Sequence, residues 1–154
     1  APAHVAAWQD LVAGGEAVRG RYLVLGVPHL VVGVDWADFW VRSLDPLAPR
    51  LRAHPDLPAG GANVTFVRCQ DGELGARSFE RGVEAETLSC GSGDVAAALV
   101  AVAEGWLPTP VRVRTASGRI LQVAPDGDAP ACTSRLTGPA EWVADLEIAP
   151  ELLA

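Results

Sequence analysis

Ser89-Cys90-Gly91-Ser92-Gly93-Asp94, followed by the run Val95-Ala96-Ala97-Ala98-Leu99-Val100-Ala101-Val102-Ala103, decides the reading of the chain. A cysteine stands in a glycine-rich turn where a helix begins. The run behind it has no polar face. A helix that is apolar all round must be surrounded by protein. Glu104 and Gly105 end the run at about half of the ~20 residues that a membrane span needs. The stretch therefore predicts a buried helix whose small residues let other elements approach closely. Its amino end carries a thiol, free backbone N–H groups and the positive end of the helix dipole. That end should favour a thiolate and bind a carboxylate.

Working outward, strands are expected on both sides of this helix. Arg21 to Leu25 reads as a strand, interrupted by Gly26-Val27-Pro28-His29 and resumed by Leu30 to Val34. A proline inside a strand run implies a bulge or an edge. His29 is either a half-buried histidine satisfied by a backbone carbonyl or a site residue oriented by a kinked backbone. Asn63 to Cys69 alternates as a strand, Asp71-Gly72 signals a hairpin, and Glu73 to Phe79 returns. Glu80-Arg81-Gly82 then opens the loop that leads to Cys90, and Glu84 and Glu86 read as surface charges. Beyond the helix, Val111 to Thr115 and Ile120 to Val123 form a second strand pair around Ser117-Gly118. Pro125 to Pro130 reads as a polar loop. Thr133 to Thr137 and Glu141 to Ile148 read as two further strands. Seven or eight strands wrapped round one internal helix meet the demand set by the apolar wheel.

Two stretches read as helical. Pro2 to Val12 holds helix formers that Gly14-Gly15 would stop. Trp36, Phe39, Trp40 and Leu44 recur at helical spacing after Asp35, a plausible cap, and a short turn is expected over Leu47 to Ala53. His54 belongs to a rigid, solvated loop. The segment 1–19 reads as a linker or domain-crossing piece, 20–149 as the domain, and 150–154 as a tail.

The bulk numbers exclude several roles. A length of 154 residues allows one domain, or one half of a larger enzyme. A net charge of −7 with no lysine argues against nucleic acid and against an anionic membrane as partner. Neither a signal peptide nor a transmembrane segment is expected. Three cysteines without metal-type spacing suggest free thiols, a reducing cytoplasm and no metal site. Cys69 and Cys132 read as packing residues. The chain opens on Ala1 and contains no methionine, from which a removed or missing upstream part is expected.

Three motifs in order then become specific: Gly26 to His29, Pro58 to Val64, and Glu80-Arg81-Gly82-Val83-Glu84-Ala85-Glu86-Thr87-Leu88-Ser89-Cys90-Gly91-Ser92-Gly93. With their gaps they resemble the C-terminal half of the diaminopimelate epimerases, over about Arg21 to Ile148. The resemblance implies an α+β fold, one of two pseudo-symmetric halves, each with mixed β-strands wrapped around a central helix. It implies an isomerase without a cofactor that interconverts LL- and meso-2,6-diaminopimelate for lysine and peptidoglycan biosynthesis. In that family two cysteines, one from each half, work on opposite faces of the α-carbon. By motif Cys90 is the second of the pair, with His29 and Glu80 beside it. The backbone of Gly91 and Ser92 would cradle the reacting carboxylate, and Asn63, Glu80 and Arg81 would hold the distal end of the substrate.

Departures from the family pattern are Val27, where the family often has Asn; Ser92 in place of the commoner Thr; and a Glu80–Cys90 loop one residue longer. The other half, with its own cysteine, is absent, and neither Cys69 nor Cys132 lies in a glycine-rich helix start. Three outcomes are open for the chain alone. It is an inactive half awaiting its partner, a ligand-binding or scaffold domain without turnover, or a homodimer that sets two Cys90 thiols face to face. A related racemase, for example of proline, is a further possibility.

Overall fold

The alternation that marks the strands decides which side chains meet the buried helix. In the computed structural model, which describes residues 6–126 and 133–149, the chain runs β1 (Trp8–Ala13), β2 (Glu16–Leu25), β3 (Val27–Gly33), α1 (Ala48–Arg52), β4 (Asn63–Gln70), β5 (Glu73–Glu80), β6 (Ala85–Thr87), α2 (Gly91–Ala103), β7 (Val111–Arg114), β8 (Ile120–Asp126) and β9 (Thr133–Thr137). The nine strands form one mixed sheet in the order β1-β2-β3-β4-β5-β7-β8-β9, with β6 as a short branch on β5. Parallel neighbours occur at β3–β4 and β5–β7, and the other ladders are antiparallel. The fold is α+β.

Strand periodicity of two gives the sheet two different faces. The inner face packs Leu23, Val31, Val67, Leu74, Ala76, Val111, Val113 and Val123 around Ala96–Ala101 of α2. The helix touches β2, β3, β4, β5, β7, β8 and β9, so the sheet curls round it. Small side chains make this close approach possible: Ala96, Ala97, Ala98, Val100 and Ala101 are wholly buried. Gly105, at φ 68°, ends α2 in the left-handed conformation that suits glycine. The outer face carries Leu30, Val32, Val64, Phe66 and Phe79 under Phe39, Leu44 and the short helix α1.

Several expectations are corrected. The helix read over Pro2 to Val12 is replaced, in its described part, by strand β1, because Gly14 and Gly15 adopt positive φ and make a hairpin to β2. The region after Asp35 makes turns rather than one helix, folded so that Phe39 and Leu44 are buried while Trp40 stays partly exposed. The short turn at Leu47 to Ala53 is α1. Pro28 stands one residue ahead of the β3–β4 ladder, where its missing N–H is harmless. Segment 141–148, read as a strand, has no ladder partner among the described residues and leaves Trp142, Val143, Leu146 and Ile148 exposed. Cys69 is exposed, not packed: it shares the inner-face parity of Val67 but lies in a concavity of about 710 Å³ with Trp8 and Trp106. Cys132 and the tail 150–154 lie outside the described residues.

Glu84 and Glu86 are exposed but structurally engaged. Glu84 pairs with Arg52 at 2.7 Å. Glu86 receives both Nε and Nη2 of Arg77 at 2.7 Å, while Nη1 of Arg77 donates to the carbonyls of Phe39 and Arg42. Arg77 is buried on the outer face, so its loss strands these acceptors. Arg77→Met is expected to cost about 2 kcal/mol in urea denaturation, below the range for fully buried pairs because Glu86 is partly solvated. Glu86→Gln should cost less, and equal costs would contradict this account.

Candidate active site

The inner-face parity that builds the core continues, at one end of the helix, into polar residues. His29 faces Asn63 in the parallel ladder of β3 and β4. Val64 faces Phe79 one residue further in, which sets Asn63 beside the end of β5 at Glu80. Asn63 ties the two together: its Nδ2 donates to the carbonyl of Pro28 at 3.3 Å and its Oδ1 accepts from the N–H of Arg81 at 2.8 Å. Thr65 and Ser78 bond across the same face at 2.9 Å. The start of α2 lies over this floor. A Cβ at Gly93 would sit 2.8 Å from Thr65 Oγ1, 3.0 Å from Ser78 Oγ and 3.2 Å from Cys90 Sγ, so only glycine lets the helix approach this closely.

The structure brings together the residues singled out by sequence. Cys90 is the N-cap of α2, with extended backbone, and is buried. Its Sγ lies 3.8 Å from Ser92 Oγ. The first turn leaves N–H groups without intrahelical acceptors, and the N–H of Asp94 is the one that bonds back to the carbonyl of Cys90. Gly91 is exposed and Ser92 half-buried beside these donors. Glu80 accepts a hydrogen bond from Thr87 Oγ1 at 2.5 Å. Arg81 is half-exposed; its guanidinium donates to the carbonyl of Gly60 at 3.4 Å and has no carboxylate partner among the described residues.

His29 departs from the plain reading. It is fully buried, and neither ring nitrogen has a hydrogen-bond partner among the described residues. Burial pushes its pKa down to about 4; the charge of Glu80 works against this and that of Arg81 with it. The ring is therefore neutral near pH 7. Burial also pushes the Cys90 thiol up from its ordinary value, and the neighbouring Glu80 carboxylate adds to this. The N–H of Gly93 and the Ser92 hydroxyl favour the thiolate but are outweighed. The helix end alone was expected to favour the thiolate; desolvation wins in this chain.

Asp94 carries no role in the sequence-based expectations. It is buried, accepts a hydrogen bond from Ser89 Oγ at 3.1 Å, and has its pKa raised to about 7, chiefly by burial, with the charge of Glu80 adding to the rise. His29 and Asp94 thus act oppositely on stability. The folded-state pKa of His29 is lowered, so its contribution is present above about pH 6.5 and lost as pH falls towards 4. That of Asp94 is raised, so its contribution is present at acid pH and lost as pH rises through about 7. Between these limits the two slopes offset one another. Asp94→Asn should uncover the slope of His29. Relative to wild type, its stability should rise with pH by about 1.4 kcal/mol per unit between pH 4.5 and 6.5. Urea midpoints at three pH values test this: a flat difference would mean that the Asp94 pKa is not raised, and a variant whose own stability is flat over this range would mean that His29 is not held neutral.

Fold and site together define a class: a domain that curls a mixed sheet round one helix and buries a thiol at that helix's amino end, with the Glu80 carboxylate acting on the thiol, on a buried histidine and on a buried aspartate. The family model described as diaminopimelate epimerase matches residues 21–143. The diaminopimelate epimerase of Archaeoglobus fulgidus is 40% identical over 145 residues, covering 94% of this chain and 49% of the relative. That of Aquifex aeolicus is 38% identical over 117 residues, covering 75% of this chain and 41% of the relative. The chain belongs to the diaminopimelate epimerase family. It spans about half the length of the curated relatives it matches. In fold it is also similar to a solved hydroxyproline epimerase from Agrobacterium vitis, with a TM-score of 0.56 at 21% identity, over 88% of this chain and 46% of that one.

Proposed function

We propose that this chain supplies one cysteine half-site for the cofactor-independent epimerisation of LL- to meso-2,6-diaminopimelate, as the C-terminal half of the enzyme. The observation that carries the reading is the buried Cys90 thiol at the amino end of α2, which shares the neighbouring Glu80 charge with a buried His29 whose ring nitrogens no protein group engages among the described residues. An amino-acid α-proton is very weakly acidic, so the carbanion needs preorganised electrostatic support in a dry site. A substrate carboxylate placed on the N–H groups of Gly91 and Ser92 receives that support. The Cys90 thiolate takes the α-proton on one face: the C–H bond breaks and S–H forms. A second thiol on the opposite face, from the other half, gives its proton to carbon, so configuration inverts with no net redox change.

In this reading neutral His29 and Glu80 help move the proton at Cys90. Arg81, unpaired by any carboxylate among the described residues, holds the distal carboxylate bidentately. Asn63 and Glu80 take the distal ammonium side. The substrate's ammonium offsets the Glu80 charge that otherwise opposes the thiolate. The partners are the amino-acid substrate and either the other half of the enzyme or a second copy of this chain. The exposed apolar residues of segment 141–148 support association with one or the other. A cytoplasmic place in lysine and peptidoglycan-precursor biosynthesis belongs to the same reading.

The test is α-proton exchange. The reduced chain is incubated with LL-diaminopimelate in deuterated water, alone and with a complementary N-terminal half of a diaminopimelate epimerase, and the α-proton signal is followed by NMR. Exchange only in the assembled sample supports a half-site. Exchange by the chain alone points to a homodimer, to be checked by sedimentation. Saturable binding of diaminopimelate without exchange in either sample would replace the enzyme reading by a ligand-binding domain. That alternative has one observation in its favour: Val27 presents an apolar, partly exposed side chain close to His29 in the chain.

A further inference from the structure

Cys90 occupies the position at which helices usually carry a capping Ser, Thr, Asp or Asn, and its side chain makes no capping hydrogen bond. The N–H of Gly93 lies towards Sγ and favours the thiolate, without the alignment of a cap. The turn that places the thiol is therefore held by something else. The residue before the N-cap is Ser89 and the fourth helical residue is Asp94. The Ser89 hydroxyl donates to Asp94 Oδ2 at 3.1 Å, and the N–H of Asp94 donates to the carbonyl of Cys90 at 2.8 Å. Elsewhere an apolar pair joins these two positions as a staple and fixes the angle at which the chain enters the helix. Here the staple is polar.

Its placement is costly and local. Asp94 is 1% exposed in a helix whose other buried positions are glycine or apolar, and a buried carboxyl with one side-chain partner destabilises the fold. Alanine would be the better helix former at the same place. Around the thiol there is little slack, since even a methyl group added at Gly93 would run into Sγ, Thr65 Oγ1 and Ser78 Oγ. A small change of entry angle moves Sγ relative to all of them. The charged group that faces Asp94 is Glu80, which also acts on Cys90 and His29.

We propose that Asp94 is a positioning residue for Cys90: by holding Ser89 across the first turn of α2, it fixes where the thiol sits over Gly93 and against Glu80. That this placement serves proton transfer rests on the epimerase reading. The staple itself does not.

The experiment is alkylation of the 154-residue chain by iodoacetamide from about pH 7 up to about pH 11, read at the Cys90 peptide by mass spectrometry so that Cys69 and Cys132 do not interfere. The plateau rate reports placement and access of the thiolate, and the midpoint reports its pKa. Ser89→Ala and Asp94→Ala should each raise the plateau rate about threefold or more, as the turn opens and the buried thiol is released. Asp94→Asn keeps an acceptor for Ser89. It should hold the wild-type plateau, while its midpoint moves down because a carboxylate has been removed near the thiol. A carboxyl needed only to fill space would leave Ser89→Ala unchanged. A wild-type plateau in Ser89→Ala, or an Asp94→Asn plateau like that of Asp94→Ala, overturns the proposal. If Asp94→Ala fails to fold, the other two variants decide. No substrate is present, so the staple can fail while α-proton exchange succeeds, and the reverse.

Discussion

Gly61→Ala is expected to cost the chain about 3 kcal/mol or more, from a left-handed backbone and a clash that cannot relax. Gly61 has φ +67°, and a Cβ there would lie 2.0 Å from the carbonyl oxygen of Arg52 and 3.1 Å from its carbonyl carbon. The obstacle is backbone at the end of α1, not the tip of a mobile side chain. The same oxygen accepts from the N–H of Ala62 at 3.0 Å, so turning it away breaks a hydrogen bond. The shift would reach Asn63 two residues later and its bonds to Pro28 and Arg81. Gly72 is the control. Its φ is +77°, and a Cβ there would meet nothing within 4 Å, so Gly72→Ala should cost only about 1 kcal/mol. Urea denaturation of the two variants measures the difference, and equal midpoints would remove the steric argument.

Cys90→Ser, in the chain assembled with a complementary half, is expected to lower α-proton exchange by about 10³-fold while the fold becomes slightly more stable. A hydroxyl is a far weaker acid than a thiol, so little alkoxide is available to take a proton, and removing a general base costs about 10² to 10⁴ in rate. Serine is also among the preferred N-caps, worth about 1 kcal/mol where the side chain bonds an orphan N–H, a bond that Cys90 does not make. The paired signature separates chemistry from folding: exchange falls and the denaturation midpoint rises. A variant that keeps exchange would sink the catalytic assignment of Cys90, whatever its stability.

The centre of the fold was legible because local rules suffice there. An apolar wheel with no polar side predicts burial, and alternation in Asn63 to Cys69 and Glu73 to Phe79 predicts which residues line the inner face. His29, Asn63 and Glu80 meet because parity and register agree. The failures have physical causes. Gly14-Gly15 terminates a helix or turns a hairpin with equal ease, and the choice depends on β2, which the local sequence does not contain. The spacing of Trp36, Phe39 and Leu44 reflects a folded turn that buries two of the three, not a helix. Segment 141–148 alternates as a strand does, but a strand exists only with a ladder partner. Cys69 kept inner-face parity but lines a concavity with Trp8 and Trp106 in place of the core, which parity alone does not foretell. Asp94 stood in the decisive stretch all along. A polar residue at the fourth helical position, five after a serine, was a readable signal that the hydrophobic pattern hid.

The placement of α2 has a consequence for the order in which the chain must assemble. The helix lies, after the short β6, in the crossover between the parallel neighbours β5 and β7, and it is also the core that the sheet encloses. Strands β2 to β5 precede it on the chain and β7 to β9 follow it. The sheet cannot close first and admit the helix afterwards. Until α2 emerges, the strands already made present Leu23, Val31, Val67, Leu74 and Ala76 to solvent as a curved, sticky surface. Docking of α2 covers that surface, and β7 to β9 complete the wrap. The turn that begins the helix carries Cys90, so the element that fills the core and the seat of the thiol are one piece of chain.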